Sequence, residues 1–407
     1  MKSLVDEISL RIKEAREMLS TVIHRTPLLH SRTLSDLTKA EVYLKLENLQ
    51  KTGAFKVRGA YYKISKLKKL ENVSHVVAAS SGNHAQGVAY SALLLSVEAT
   101  IFMPRHTPFY KVNATRSYGA QVILHGDTYD DAYMKAMEFA ESKKVPFIHP
   151  FDDIDIIAGQ GTIGVEIFED APNLDIVIVP VGGGGLISGI AVALKKLNER
   201  IKVIGVQPSG APAMFFSYKQ GRVVETPSVW SIADGVIVKR PGETTLKIME
   251  ETVDDMVLVD DKDIARAVFI LLERAKTVAE PAGALSVAAL LSGAVEAKGK
   301  RVAAVVSGGN VDPSMLSRII NQVLFIEGRQ VKIKGLLPDR PGQLKRVVDV
   351  IAELGLNIIS IDHERVNPLV APGMAQVTLG LEVPSRESVN LLLIKLKDLG
   401  LNFEEVT

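Results

Sequence analysis

The feature that most constrains this chain is an alternation. Short β-branched runs recur along most of its length, with longer helical patterns between them. Strands are expected at 41–46, 76–79, 99–103, 121–125, 176–180, 203–206, 256–259 and 302–306. Helical patterns fill 58–70, 83–95, 111–118, 129–143, 159–169, 186–196, 261–274 and 283–291. Such alternation predicts an α/β fold with mainly parallel, buried sheets. Ligands of those sheets bind beyond the carboxyl ends of the strands.

The pattern changes after about Glu327. Strand 331–337, helix 343–354, strand 357–366, strand 375–383, helix 385–399 and strand 402–406 follow in turn. This βαββαβ order predicts a small ferredoxin-like domain whose helices cover one face of an antiparallel sheet. The hydrophilic Glu327-Gly328-Arg329 separates a domain at 1–326 from one at 330–407. A chain of 407 residues has room for two or three domains.

Composition narrows the function classes. The net charge is +1, so no charge excess marks a nucleic-acid or membrane partner. Cysteine is absent, which excludes disulfides, thiolate nucleophiles and cysteine-held metals. Residues 1–19 carry charges throughout and lack the apolar core of a signal peptide. The longest apolar stretches, such as 282–294, contain Gly and Ser and fall short of a membrane span. A cytoplasmic location is expected. The eight histidines show no metal-ligand spacing, so no metal is expected. Asp152, Asp153 and Asp155 read as solvated acids favoured by a helix start.

Three strands end in loops of small, polar or glycine residues that could meet in one cleft: Ser80-Ser81-Gly82-Asn83-His84, Gly182-Gly183-Gly184-Gly185 and Ser307-Gly308-Gly309-Asn310. Four glycines after a buried strand expose backbone N–H groups at the positive end of a helix starting near Leu186, which is a phosphate cradle by mechanism. A tight turn alone needs only one or two glycines. The loop lacks the Gly-Lys-Ser/Thr of a P-loop and the spacing of a dinucleotide fingerprint. A compact monophosphate therefore suits it better than NAD. The Ser80–His84 loop suits a carboxylate or phosphate, but Ser80 or Ser81 also reads as a plain N-cap. Lys56 follows Gly53-Ala54-Phe55 at a helix start, where a desolvated amine can meet a carbonyl. Taken alone, Lys56 reads as a surface lysine.

Taken together and in order, these motifs resemble the fold-type II pyridoxal-phosphate enzymes, the threonine and serine dehydratases among them. The resemblance covers about residues 5–320. It includes Arg25-Thr26-Pro27-Leu28, Lys45-Leu46-Glu47-Asn48, Ala158-Gly159-Gln160-Gly161-Thr162, Ala233-Asp234-Gly235-Val236 and Glu280-Pro281-Ala282-Gly283-Ala284. It implies two three-layer α/β/α subdomains, the smaller at about 50–150 inserted in the larger, and pyridoxal 5'-phosphate as cofactor. Lys56 is then the Schiff-base residue and the Cα base. Gly182, Gly183, Gly184, Gly185 and Leu186 hold the phosphate, Asn83 meets the ring 3'-oxygen, and Ser307 faces the pyridine nitrogen. Phe55, Gly235 and Glu280 complete the cofactor surroundings. Ser80, Ser81, Gly82, Asn83 and His84 take the substrate carboxylate, with Ser81 a candidate base on the opposite face. The implied reaction is β-elimination of L-threonine, with L-serine a second substrate. Other reactions of the same cofactor, or a catalytically dead amino-acid sensor, stay open.

The tail similarly resembles an ACT domain, through Asp339, Gly342 and Leu344 in the turn and Asn357 and Ile358 in the second strand. That implies an amino-acid effector and a homo-oligomer, dimer or tetramer. Some relatives carry an acidic metal-binding loop after the strand ending near Gln207, whereas residues 207–213 here contain no acid.

Overall fold

The computed structural model describes residues 3–366 and 368–406. The expected outer limits at residues 1 and 407 lie outside the described residues. The chain divides into two compact units at Val311/Asp312.

The first unit contains β1 (Leu28–His30), β2 (Glu41–Leu46), β3 (His75–Ala79), β4 (Glu98–Met103), β5 (Gln121–Leu124), β6 (Ile176–Pro180), β7 (Lys202–Pro208), β8 (Asp255–Val259) and β9 (Arg301–Val306). A six-stranded sheet runs β1-β2-β9-β6-β7-β8, and a three-stranded sheet runs β3-β4-β5. The smaller sheet lies in the chain between β2 and β6, as an insertion. All pairings are parallel except β1 with β2. Every residue of β6 is buried, as is every residue of β9 after Arg301. That is the burial expected of strands covered on both faces.

Eight of these strands follow the sequence expectation within two residues at either end. β1 escaped it because three half-exposed residues carry no periodic signal. The Leu4–Leu19 helix also escaped, although Val5, Ile8, Ile12, Ala15 and Leu19 form its buried stripe. The Ile154–Asp170 helix starts five residues before the expected 159. Its N-cap Asp153 accepts from the N–H groups of Asp155 and Ile156 at 2.9 and 3.1 Å. Asp155 itself is 6% exposed and pairs with Lys66 at 2.9 Å and with Arg11, so it is not the solvated acid expected.

The Lys56–Glu71 helix is pinned to the six-stranded sheet by buried charge. Arg58, which is fully buried, donates to Glu47 through Nε at 2.8 Å and Nη2 at 2.7 Å. It also donates to Glu166 through Nη1 at 2.6 Å and Nη2 at 3.0 Å. Lys45 Nζ donates to Glu166 Oε2, the oxygen that Arg58 Nη2 also meets, at 2.6 Å and to Thr26 O at 2.7 Å. The Thr26 hydroxyl closes the ring on Glu47. Two cations thus meet two carboxylates, and the Coulomb terms reinforce the hydrogen bonds. Next to Arg58, Gly59 meets Gly159 of the Ile154–Asp170 helix. A Cβ on Gly159 would stand 2.5 Å from the Gly59 Cα, so the two helix backbones touch.

The second unit contains β10 (Gln330–Pro338), β11 (Asn357–Glu364), β12 (Met374–Glu382) and β13 (Phe403–Val406) in the order β11-β12-β10-β13, all antiparallel. The Gln343–Glu353 and Arg386–Asp398 helices complete the expected βαββαβ order. Val331, Ile333 and Leu337 of β10 share a core with Val347, Ile351, Leu392 and Leu396 of these helices. Alternate β10 residues are buried, so the helices cover one face. The helix Pro313–Ile326 packs against β10, which is why this unit begins before the expected boundary. No helix among the described residues is long and apolar enough to cross a membrane.

Replacing Arg58 with Met would leave Glu47 and Glu166 without their shared partner. We expect a loss of about 3–5 kcal/mol of unfolding free energy, measured by urea denaturation. A variant as stable as the parent would show that the network does not pin this helix.

Candidate active site

The carboxyl ends of β3, β6 and β9 open into one cavity of about 1020 Å³. The three loops singled out in the sequence line it, together with Phe55 and Lys56. The chain just before Lys56 is stitched to the loop after β9. Phe55 N donates to Ser307 O at 3.2 Å and Gly309 N to Gly53 O at 2.9 Å. The distance along the chain between the lysine and Ser307 is thereby removed.

Lys56 is the first residue of its helix, and its Nζ donates to Pro150 O at 2.8 Å. The same Nζ lies 5.2 Å from the centre of the Phe55 ring. Burial pushes the amine down to about 8, against the opposing pull of Glu280. Near neutral pH a useful share of this lysine is therefore neutral and nucleophilic.

Only one of the four cradle glycines needs its left-handed backbone: Gly184, with φ of 95° at the N-cap of the Gly185–Leu197 helix. The others answer to close approach. A Cβ on Gly183 would sit 2.4 Å from the Phe151 ring, and one on Gly185 2.8 Å from the Phe151 carbonyl oxygen. Thr245 Oγ1 donates to Gly183 O at 2.7 Å. Gln207 Oε1 accepts from Phe215 N at 2.7 Å, and its Nε2 donates to Gly182 O at 3.4 Å. The strand-end glutamine thus braces the loop. No side chain caps the helix, so its first N–H groups remain for an anion.

The Ser80–His84 loop offers a second such end. Gly82 is the N-cap of the Asn83–Leu94 helix, and no side chain caps that helix either. Ser80 Oγ accepts from Gly82 N at 3.2 Å, so neither serine is the cap that the plain reading supposed. Ser81 lines the cavity. His84 is buried and its Nε2 lies 2.9 Å from Ile148 O. Burial, then the Lys56 charge, pushes its imidazole down to about 3. The ring is neutral and donates to that carbonyl, which leaves the backbone of His84 for ligand contact.

Asn83 Nδ2 donates to Glu280 Oε1 at 2.7 Å, and its Oδ1 accepts from Asn310 Nδ2 at 2.8 Å. Burial first, and the Asp234 charge next, push Glu280 up to about 7. Gly235, Glu280 and Ser307 all lie in the cavity wall. The amine, the two uncapped helix ends and the Ser307 hydroxyl fit a phosphate monoester that carries an aldehyde.

Some contributors were missed. Asn310 lies in a loop singled out in the sequence, but its link to Asn83 spans 227 positions and no local pattern signals it. Lys111 pairs with Asp234 at 2.6 Å in the cavity wall, a contact across 123 positions that no local pattern signals. The five tail residues do not gather within one chain. Gly342 and Leu344 open the helix after β10, where Pro338 pairs with Met374. Asp339 binds Gly373 O through its N–H at that same end. Asn357 instead pairs with Glu382, and Ile358 with Leu381, at the far end of β12.

Comparison with known proteins agrees with this geometry. Residues 19–308 match the family described as pyridoxal-phosphate dependent enzymes. An L-threonine ammonia-lyase of Thermotoga maritima is 50% identical over 378 residues, covering 93% of this chain and 94% of that protein. Threonine deaminase isoform 2 of Solanum lycopersicum superposes with a TM-score of 0.74 at 37% identity, over 78% of this chain and 88% of that one. Maize serine racemase superposes at 0.73 with 34% identity, over 78% of this chain and 98% of that one. The chain belongs to the pyridoxal-phosphate dependent enzymes.

Proposed function

We propose that this protein converts L-threonine to 2-oxobutanoate and ammonia by β-elimination, and L-serine to pyruvate in the same way. One observation carries the reading: Lys56, the glycine cradle and Ser307 line a single cavity. The 50% identity to a threonine ammonia-lyase along nearly the whole of both chains favours this reaction over others of the family.

Each residue then has a task. Bound pyridoxal phosphate supplies an aldehyde and an electron sink for the bond broken at Cα. The Gly182–Leu186 amides hold its phosphate. Lys56 would hold the cofactor's aldehyde, and its Nζ, when free and neutral, would take the Cα proton. The Ser80–His84 backbone holds the substrate carboxylate and keeps Cα beside that amine. Asn83 donates to the ring oxygen. Ser307 offers a hydroxyl where a carboxylate would stabilise a protonated ring, so the sink is weaker and suits rapid loss of the β-hydroxyl over transamination.

Racemisation is the second reading, favoured by the likeness to maize serine racemase and by Ser81 in the cavity wall as a base on the opposite face. The βαββαβ order of the C-terminal unit supports an ACT-type regulatory role, with an end-product amino acid coupled to the site by about 1–3 kcal/mol. A homo-oligomer and a cytoplasmic location complete the proposal.

Steady-state kinetics on L-threonine and L-serine, with and without isoleucine or valine, test this directly. We expect 2-oxobutanoate from threonine and a change in rate with one branched-chain amino acid. D-serine as the main product would favour racemisation instead. Indifference to every amino acid would reduce the tail to an assembly device.

Lys56→Ala should lose turnover by about 10²–10⁴-fold or more and should abolish the visible absorbance of the holoenzyme. A variant that keeps both would remove Lys56 from its role.

The lowered Lys56 pKa predicts a pH profile. Its neutral form dominates only above the folded value of about 8. Capture of pyridoxal phosphate by cofactor-free protein should therefore speed up about tenfold per pH unit below that value and level off above it. A rate still climbing toward the ordinary lysine pKa of about 10.4 would contradict the burial argument.

A further inference from the structure

The Asn83 amide is gripped from both sides, and the grip has a direction. Which end of an amide is nitrogen is decided by its neighbours. Here the deciding neighbour is a backbone carbonyl. Asn310 Nδ2 donates to Thr52 O at 2.7 Å, and a carbonyl oxygen can only accept. That fixes the Asn310 nitrogen in place. Its other N–H reaches Asn83 at 2.8 Å, so the Asn83 atom facing it must be Oδ1. Asn83 Nδ2 then faces Glu280 Oε1, at 2.7 Å. An amide nitrogen carries two N–H groups, and Glu280 engages one. The other is left for the cavity that Asn83 lines.

The turn that starts this relay is unusual. Thr52 and Gly53 are both left-handed, with φ of 62° and 71°. For Thr52 that conformation is strained. Gly53 packs so closely that an added Cβ would stand 2.3 Å from Asn310 Oδ1. The turn lies just ahead of Lys56, so one stretch of chain both presents the amine and orients the amide.

We propose that Asn310 and Glu280 are positioning residues, locking the Asn83 amide so that its free N–H is presented to the bound cofactor. The proposal rests on reading the cavity as a pyridoxal-phosphate site. Asn310 and Glu280 act through Asn83, and the burial that favours a protonated Glu280 leaves its Oε1 an acceptor for Asn83.

The test is titration of cofactor-free, full-length protein with pyridoxal phosphate, followed by the visible absorbance band. Asn310→Asp is nearly isosteric but replaces the donor with an acceptor facing Thr52 O and Asn83 Oδ1. It should weaken cofactor affinity about tenfold and shift the absorbance maximum. Asn310→Ser, which removes the amide without adding charge, should do the same. Glu280→Ala removes the acceptor that holds Asn83 Nδ2 and should weaken affinity about tenfold, and Glu280→Gln, which keeps an acceptor there, should recover most of that loss. In an Asn83→Ala background, Asn310→Asp should add nothing, because it has no amide left to orient. Melting curves establish that each variant is folded. Parental affinity and absorbance in both Asn310 variants would overturn the relay, as would a full additional loss in the double variant. A parent chain that takes up no pyridoxal phosphate would overturn the reading of the site itself, whereas normal uptake by the parent with indifferent Asn310 variants sinks the relay alone.

Discussion

The first unit is organised around the buried charges of Arg58, Lys45, Glu47 and Glu166. A cation this deep is tolerable only if both faces of its guanidinium fork are filled. That condition dictates geometry. Glu47 follows β2, Glu166 sits on the Ile154–Asp170 helix, and Arg58 lies one half-turn beyond Lys56. Satisfying the charges brings these three elements together at one register. The Gly59–Gly159 contact then sets how closely the two helices lie. Apolar packing could hold the same helices, but it would tolerate sliding. A bidentate ion pair does not, so the network fixes where the helix begins and hence where Lys56 points.

A cleft at the strand ends follows from the same arrangement. Parallel strands deliver their carboxyl ends to one edge, and the helix after each strand starts there. In this chain the starts of the helices at Lys56, Asn83 and Gly185 all line the cavity, and none carries a side-chain cap. Capping them would satisfy the orphan N–H groups and remove the site. Leaving them open stabilises anions at the cost of some helix stability.

Much of this was legible in the sequence. Buried parallel strands announce themselves as short apolar runs, and β2 and β6 have the expected ends to the residue. That the three strand-end loops would meet in one cleft was legible because parallel strands deliver their carboxyl ends to one edge. What stayed hidden has physical reasons. The charge network joins residues up to 121 positions apart, and a lysine or glutamate in a strand reads as solvent-facing until its partner is placed. The part Asn310 plays is hidden because it depends on a carbonyl 258 positions earlier. Asp155 looked solvated for the same reason, since Arg11 and Lys66 that bury it come from other helices. The N-terminal helix shows a different failure. Its charges argue against a signal peptide, and they also interrupt the apolar stripe at 3.6-residue spacing that makes it a helix.

The cavity's electrostatics bear on how a buried lysine can be neutral beside helix ends that attract anions. A phosphate and a carboxylate beside a charged amine would hold its proton in place and keep it from attacking. Here burial pushes Lys56 down to about 8 and Glu280 up to about 7, so both drift toward neutrality. The other cations in the cavity wall are already compensated, Lys111 by Asp234 at 2.6 Å, Lys239 by Asp130 at 3.3 Å and Arg240 by Glu243 at 2.8 Å. The attraction for anions therefore rests on backbone N–H groups at helix ends, which carry no removable proton at these pH values. Separating the anion-attracting charge from the titrating one lets one cavity attract an anion and still present a free amine. A cationic side chain in place of the four glycines would also attract an anion and would lower the Lys56 pKa further, but it would require its own counter-ion in a buried wall.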